Sequence, residues 1–215
     1  GIALKDRDKL DEAIDTFNKA ISLKPDYAAA HNNMGITLRD QDKPEEAINA
    51  YQKALELKPD YAEAYNNMGV ALRDQGKLDQ AIEAYNKGCA LKPNFSEAYS
   101  NMGAALQNKG KLDEAIEAYN KAISIKPDYA EAHLNLSTIK KYTLKDEQFR
   151  QVQELYKRED LSEDERCHLS IALSKMYEDI GELDHAFSHL SEGNSLRKKL
   201  LNYSIEQDEK LFKKL

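Results

Sequence analysis

Residues 64–95 read "AYNNMGVALRDQGKLDQAIEAYNKGCALKPNF", and residues 30–61 read "AHNNMGITLRDQDKPEEAINAYQKALELKPDY". The second stretch is the first displaced by 34 residues. The same step separates Pro25, Pro59, Pro93 and Pro127, and an aromatic follows each two places on: Tyr27, Tyr61, Phe95 and Tyr129. Gly1, Gly35, Gly69 and Gly103 keep the beat, as do Ala13, Ala47, Ala81 and Ala115. A ring stands one turn after each alanine, at Phe17, Tyr51, Tyr85 and Tyr119. A fixed period of this size means a stacked array whose units cannot bury their apolar faces alone.

Each unit reads as two helices. In residues 61–75, Tyr65, Met68, Gly69 and Leu72 fall at helical spacing, and Gly76 supplies a left-handed stop. The second helix spans Leu78–Leu91, with Ala81, Ile82, Tyr85 and Gly88 on one face and Pro93 beyond its end. Pro44 stands at a first helical position that proline accepts. Asp60 with Glu63, Asn94 with Glu97, and Asp128 with Glu131 have the spacing of capping boxes. The small residues let two helices approach, and the rings fill the space beside them.

These residues resemble the tetratricopeptide repeat family through positions 1–129. The resemblance implies an all-α fold: a right-handed superhelical α-solenoid of antiparallel helix pairs, with a concave groove lined by the first helices. His31, Tyr65, Tyr99 and His133 stand where the family usually has Trp, and Leu38, Leu72 and Leu106 where it usually has Tyr. Gly1 shares the phase of Gly35, so the chain is expected to start inside a first helix, as a fragment of a longer protein.

The period breaks after residue 137, dividing a regular array (1–137, its first repeat truncated) from a divergent segment (138–200). A helix is expected over 146–157, and Ser174, Tyr177, Gly181, Leu183, Ala186 and Leu190 recover the repeat phase after about three inserted residues. Residues 201–215 read as a further helix or a linker to a missing domain. Residues 138–215, through "ALSKMYEDIGELDHAF" and "EGNSLRKKL", resemble the segment that precedes the catalytic domain of bacterial repeat-containing sulfotransferases. That resemblance implies a non-catalytic recruiting arm of such an enzyme.

Composition narrows the functional classes. A net charge of -7 argues against nucleic acid or an anionic membrane as the main partner. No apolar run reaches the roughly 18 residues of a membrane span. The opening "GIALKDRDKL" carries charges where a signal peptide needs an apolar core. Cys89 and Cys167 suit a reducing compartment, so the expected location is the cytoplasm.

The candidate binding residues are polar and periodic. Asn33, Asn67, Asn101 and Asn135 share one phase, and Asn32 and Asn66 precede two of them. An asparagine can pair with both C=O and N–H of an extended peptide, so a series at fixed spacing would grip main chain. The series is similar to the asparagine ladder in the repeats of O-linked N-acetylglucosamine transferase. Plain helix-packing or solvated asparagine is the competing reading. Arg39 and Arg73 could hold a carboxylate bidentately, or be neutralised by Asp40 and Asp74. The carboxylate clamp of chaperone-binding relatives wants a second asparagine where this chain has Ile36 and Val70. His185 and His189 lie four apart on one helical face, a spacing that can hold a metal, and Cys167 and His168 could approach them across the same helix pair. No HExxH, no Ser-His-Asp arrangement and no isolated carboxylate pair accompanies them, so the chain reads as non-enzymatic, without cofactor or metal. The expected partner is a protein or extended peptide, with the chain a monomer or weakly self-associating through its ends.

Overall fold

The computed structural model describes residues 2–201, with side chains from Lys9 onward. Among the described residues there are eleven α-helices and no strand. The chain is an all-α solenoid of antiparallel helix pairs. It divides into two compact units, one ending at Ile125 and one beginning at Lys126.

The first unit holds α1 (Ile2–Leu23), α2 (Ala28–Asp40), α3 (Pro44–Leu57), α4 (Ala62–Asp74), α5 (Leu78–Leu91), α6 (Ser96–Asn108) and α7 (Leu112–Ile125). The helices pair as α2 with α3, α4 with α5, and α6 with α7. The first helices of neighbouring pairs also touch, α4 meeting both α2 and α6, so they form the closely spaced side of the stack.

The pairing depends on a nesting contact repeated three times. Tyr51, Tyr85 and Tyr119 are fully buried, each ring lying flat against a glycine. A Cβ added at Gly35 or Gly69 would meet ring carbon Cε1 at 2.6 Å, and at Gly103 at 2.7 Å. Ala47, Ala81 and Ala115 are fully buried beside these contacts. The Tyr51 hydroxyl has no partner among the described residues, and burial pushes its pKa up to about 12. Tyr119 instead donates to Gln107 Oε1 at 3.0 Å.

The turns show where sequence signals hold and where they fail. Gly76 and Gly110 take φ of +73° and +77°, the left-handed stop that glycine permits, and Asp42 takes φ 60° at the same phase. Asp8 shares that phase, yet α1 runs helical through it. Gly1 and residues 202–215, including the further helix expected there, lie outside the described residues.

The capping boxes expected at Asp60, Asn94 and Asp128 are not formed. The cap position belongs to the aromatic one place later, Tyr61, Phe95 or Tyr129, and none of these accepts a side-chain bond. The turn after each proline shifts the helix start by one residue. This frees Glu63 to pair with Lys92 at 2.7 Å and Glu97 to accept from Asn66 at 3.2 Å. The aromatic is held from outside: Lys58 lies 4.6 Å from the Tyr61 ring, Lys92 4.6 Å from Phe95 and Lys126 5.0 Å from Tyr129. A complete capping box does occur at the helix Glu163–Asp179, where Glu165 N–H donates to Ser162 Oγ and Ser162 N–H to Glu165.

The second unit contains α8 (Ala130–Ser137), α9 (Glu147–Tyr156), α10 (Glu163–Asp179) and α11 (Leu183–Leu200). Its core gathers Tyr142, Phe149, Val152, Leu169, Leu173 and Met176. The inserted segment is anchored by Tyr142, whose N–H donates to Asp179 Oδ2 at 3.1 Å and whose hydroxyl donates to Gln148 at 3.0 Å. α10 and α11 pack closely: a Cβ on Gly193 would lie 2.7 Å from Ile171. Ser174 falls at the glycine phase and Leu190 at the ring phase, but Leu190 is 41% exposed.

His133 is fully buried, with Nε2 2.9 Å from the Pro127 carbonyl and Nδ1 3.4 Å from Gln148 Nε2. Burial lowers its pKa. The folded state therefore favours the neutral ring, and its stabilising contribution is present above the unfolded pKa of about 6.5. Stability should fall as pH drops below that value. His189, lowered by burial and by His185, adds an effect of the same sign. Melting curves at pH 7.5 and pH 5 should show the loss, and His133→Asn should reduce the difference.

Candidate functional site

On the closely spaced side of the first unit, two asparagine columns meet. Asn32 and Asn66 are buried, at 4% and 2% exposure, in the seam between consecutive first helices. Their neighbours one place on are less covered: Asn33 is exposed, and Asn67 and Asn101 are half-buried. Burying an amide without partners would cost about 1–3 kcal/mol, so the seam must satisfy itself. It does so across the repeats. Asn67 Nδ2 donates to Asn32 Oδ1 at 3.1 Å, and Asn101 Nδ2 donates to Asn66 Oδ1 at 3.0 Å. Asn32 Nδ2 lies 3.3 Å from Asn33 Oδ1, and Asn66 Nδ2 donates to Glu97.

The arrangement assigns the columns different work. Asn32 and Asn66 tie one repeat to the next. Asn67 and Asn101 spend an amide proton on that tie, while Oδ1 of each accepts from no described residue. Asn135 lies half-buried on α8 in the second unit.

Arg39 and Arg73 are half-buried near the ends of α2 and α4. Each guanidinium reaches the next carboxylate, Arg39 to Asp40 and Arg73 to Asp74, both at 3.3 Å. Each also opposes the burial-driven rise in a tyrosine pKa, Arg39 at Tyr51 and Arg73 at Tyr85. The arginines thus balance local charge over the ring contacts.

Other concavities lie between the second helices. One is floored by Ile48, Met68 and Leu72, with Gln52 and Lys87 at its rim. The same phase recurs at Ile82, Met102 and Leu106, and at Ile14, Met34 and Leu38. The sequence signal was the apolar spacing itself, which does not separate a packed methionine from one flooring a cleft.

His185 and His189 are brought together around an aromatic. Both stack on Tyr177, at 5.0 and 5.4 Å between ring centres, and His189 meets Tyr156 edge-on at 4.9 Å. Cys167 turns elsewhere, its Sγ 3.3 Å from the Gly193 carbonyl. Among the described residues no three His, Cys, Asp or Glu side chains are placed to hold a metal ion. Both cysteines are buried free thiols, and burial pushes Cys89 up to about 11. A thiol so raised carries little thiolate near neutral pH. No helix among the described residues is long and apolar enough to cross a membrane.

Family models of the tetratricopeptide repeat match residues 1–42, 26–94 and 96–129. Among solved structures, MamA aligns at 24% identity over 93% of this chain and 95% of its own, with a TM-score of 0.58. A Pseudomonas aeruginosa protein, pilF, aligns at 23% identity over 99% of this chain and 94% of its own, with a TM-score of 0.65. The first repeat domain of Spaghetti (RPAP3), bound to the HSP90 peptide SRMEEVD, aligns at 29% identity over 52% of this chain and 89% of its own, with a TM-score of 0.51. No curated protein matches in sequence.

Proposed function

The chain belongs to the tetratricopeptide repeat family, and from that premise we propose that it is a protein-interaction scaffold whose first helices hold an extended peptide by its main chain. The observation that carries this reading is the inter-repeat asparagine seam. It fixes the Asn67 and Asn101 amides in one orientation at successive repeats, each with a carbonyl oxygen left to accept a peptide N–H. Asn33 and Asn135 extend the same phase, and Arg39 and Arg73 add preference for an acidic side chain. The peptide seated in the Spaghetti repeat domain supports an extended peptide as the partner class. The cytoplasm is the compartment proposed.

Peptides selected from a random display library against residues 1–215 supply the probe. Alanine at Asn33, Asn67, Asn101 and Asn135 should leave helicity intact and weaken binding by about 0.5–1.5 kcal/mol per asparagine. Methylating the peptide backbone nitrogens should weaken wild-type binding as well. Unchanged affinity in both experiments would remove the ladder.

A second reading rests on the likeness of residues 138–215 to the segment preceding a sulfotransferase domain. It makes the module the recruiting arm of an enzyme. A strand, a phosphate-cradling loop and a helix encoded after Leu215 would support it, and a stop codon shortly after Leu215 would oppose it.

A further inference from the structure

Half of the exposed large apolar side chains among the described residues belong to one stretch of chain, α11 and its cap. They are Leu183 (67% exposed), Phe187 (74%), Leu190 (41%), Leu200 (44%) and Leu201 (71%). Four of these fall on a single line. Leu183, Phe187, Leu190, Asn194, Arg197 and Leu201 follow one another at steps of 4, 3, 4, 3 and 4 residues. That alternation is the seven-residue rhythm by which helices pair along a seam. The residues that face α10, including Ala186 and Gly193, are buried about a quarter-turn away. α11 thus packs on its own unit through one face and presents a complete pairing seam on another.

We propose that a second copy of this chain occupies the seam, α11 lying antiparallel to its counterpart. Charge selects both the occupant and the direction. Asp184 and Lys198 flank the seam on the same side, near opposite ends of the helix, and neither makes an ion pair with a described residue. In an antiparallel pair like flanks face each other, so Asp184 of each copy stands opposite Lys198 of the other, with Ser191 at the centre. In a parallel pair this flank would face the Ala186–Gly193 edge, which carries no charge and is already buried. Asn194 in the seam meets the Leu190 region of the second copy. It lowers affinity and fixes register, the usual effect of one amide in an apolar seam. A contact limited to one helix per copy is small beside the roughly 1,200 Å² of a stable interface. The dimer is therefore weak and appears with rising concentration. This inference is independent of the peptide reading, which concerns the first unit.

Sedimentation velocity on residues 1–215, from low micromolar to millimolar concentration, tests it. The wild type should pass from monomer to dimer. Phe187→Asp should raise the dissociation constant at least about tenfold with helicity unchanged. Asp184→Lys and Lys198→Asp should each weaken the dimer, and the two together should restore it, which a merely misfolded variant would not do. A wild type that stays monomeric overturns the proposal and assigns the seam to residues 202–215 or to no partner. A dimer indifferent to Phe187→Asp, or a double variant no better than the singles, overturns it as well.

Discussion

Gly69→Ala should destabilise the first unit by about 2 kcal/mol, although alanine in a helix interior is normally worth about 1 kcal/mol over glycine. The new methyl would sit 2.6 Å from Cε1 and 2.8 Å from Cδ1 of Tyr85, a ring with no exposed surface. Neither side can yield easily, because the ring is enclosed and the glycine lies within α4. Overpacking of this kind costs about 1–3 kcal/mol, occasionally more, and here must also overcome the propensity gain. The measurement is the shift in urea midpoint. Tyr85→Leu should cost stability by removing ring contacts, yet adding Gly69→Ala to it should cost little more, because the smaller side chain leaves room for the methyl. A fully additive double variant would show that the ring is not the obstacle.

The other large effect is expected at Asn66. Asn66→Asp replaces an amide at 2% exposure with a carboxylate. The Oδ1 side still accepts from Asn101, but the former Nδ2 side now faces Glu97 Oε1, which lies 3.2 Å from Nδ2 in the native chain. Burial and the like charge both raise the folded-state pKa of the new group above the unfolded value of about 3.9. The folded chain then binds its proton more tightly than the unfolded chain does. The penalty is absent below about pH 4, grows as pH rises towards the raised folded pKa, and is complete above it. At pH 7 it should be about 3 kcal/mol, the scale of an uncompensated buried charge. Asn33→Asp, on an exposed neighbour, should change stability by less than about 0.5 kcal/mol. Denaturation at pH 7 and pH 4 separates the two positions, and a Asn66→Asp penalty that ignores pH would refute the argument.

The repeat was legible because its signals are local and recur. The helix expected over about Leu78 to Leu91 is α5, and Gly76 does follow α4 with a left-handed backbone. The capping boxes were misread because the same acidic spacing serves another purpose. Glu63 reaches Lys92 at the far end of its own helix pair and Glu97 reaches back to Asn66 of the preceding repeat, choices made by packing rather than by their own segment. The site was half legible. One-residue offsets in sequence do not reveal that Asn66 is enclosed while Asn33 is open, because that depends on how the next first helix lies over them. Leu190 keeps the ring phase, with Ser174 at the glycine phase, yet stands exposed, and Leu183 is exposed as Leu112 is at the same phase.

The asparagine tie has a further consequence for how such a chain changes length. Asn67 reaches back to Asn32, and Asn101 to Asn66, over the same 35-residue interval. Excising any 34 consecutive residues within the regular array would hand each donor an equivalent acceptor and each ring an equivalent glycine. Losing one residue more or fewer would misalign every such match that spans the cut. Growth or trimming of the array is therefore quantised, with whole modules the only increments that leave its joints intact.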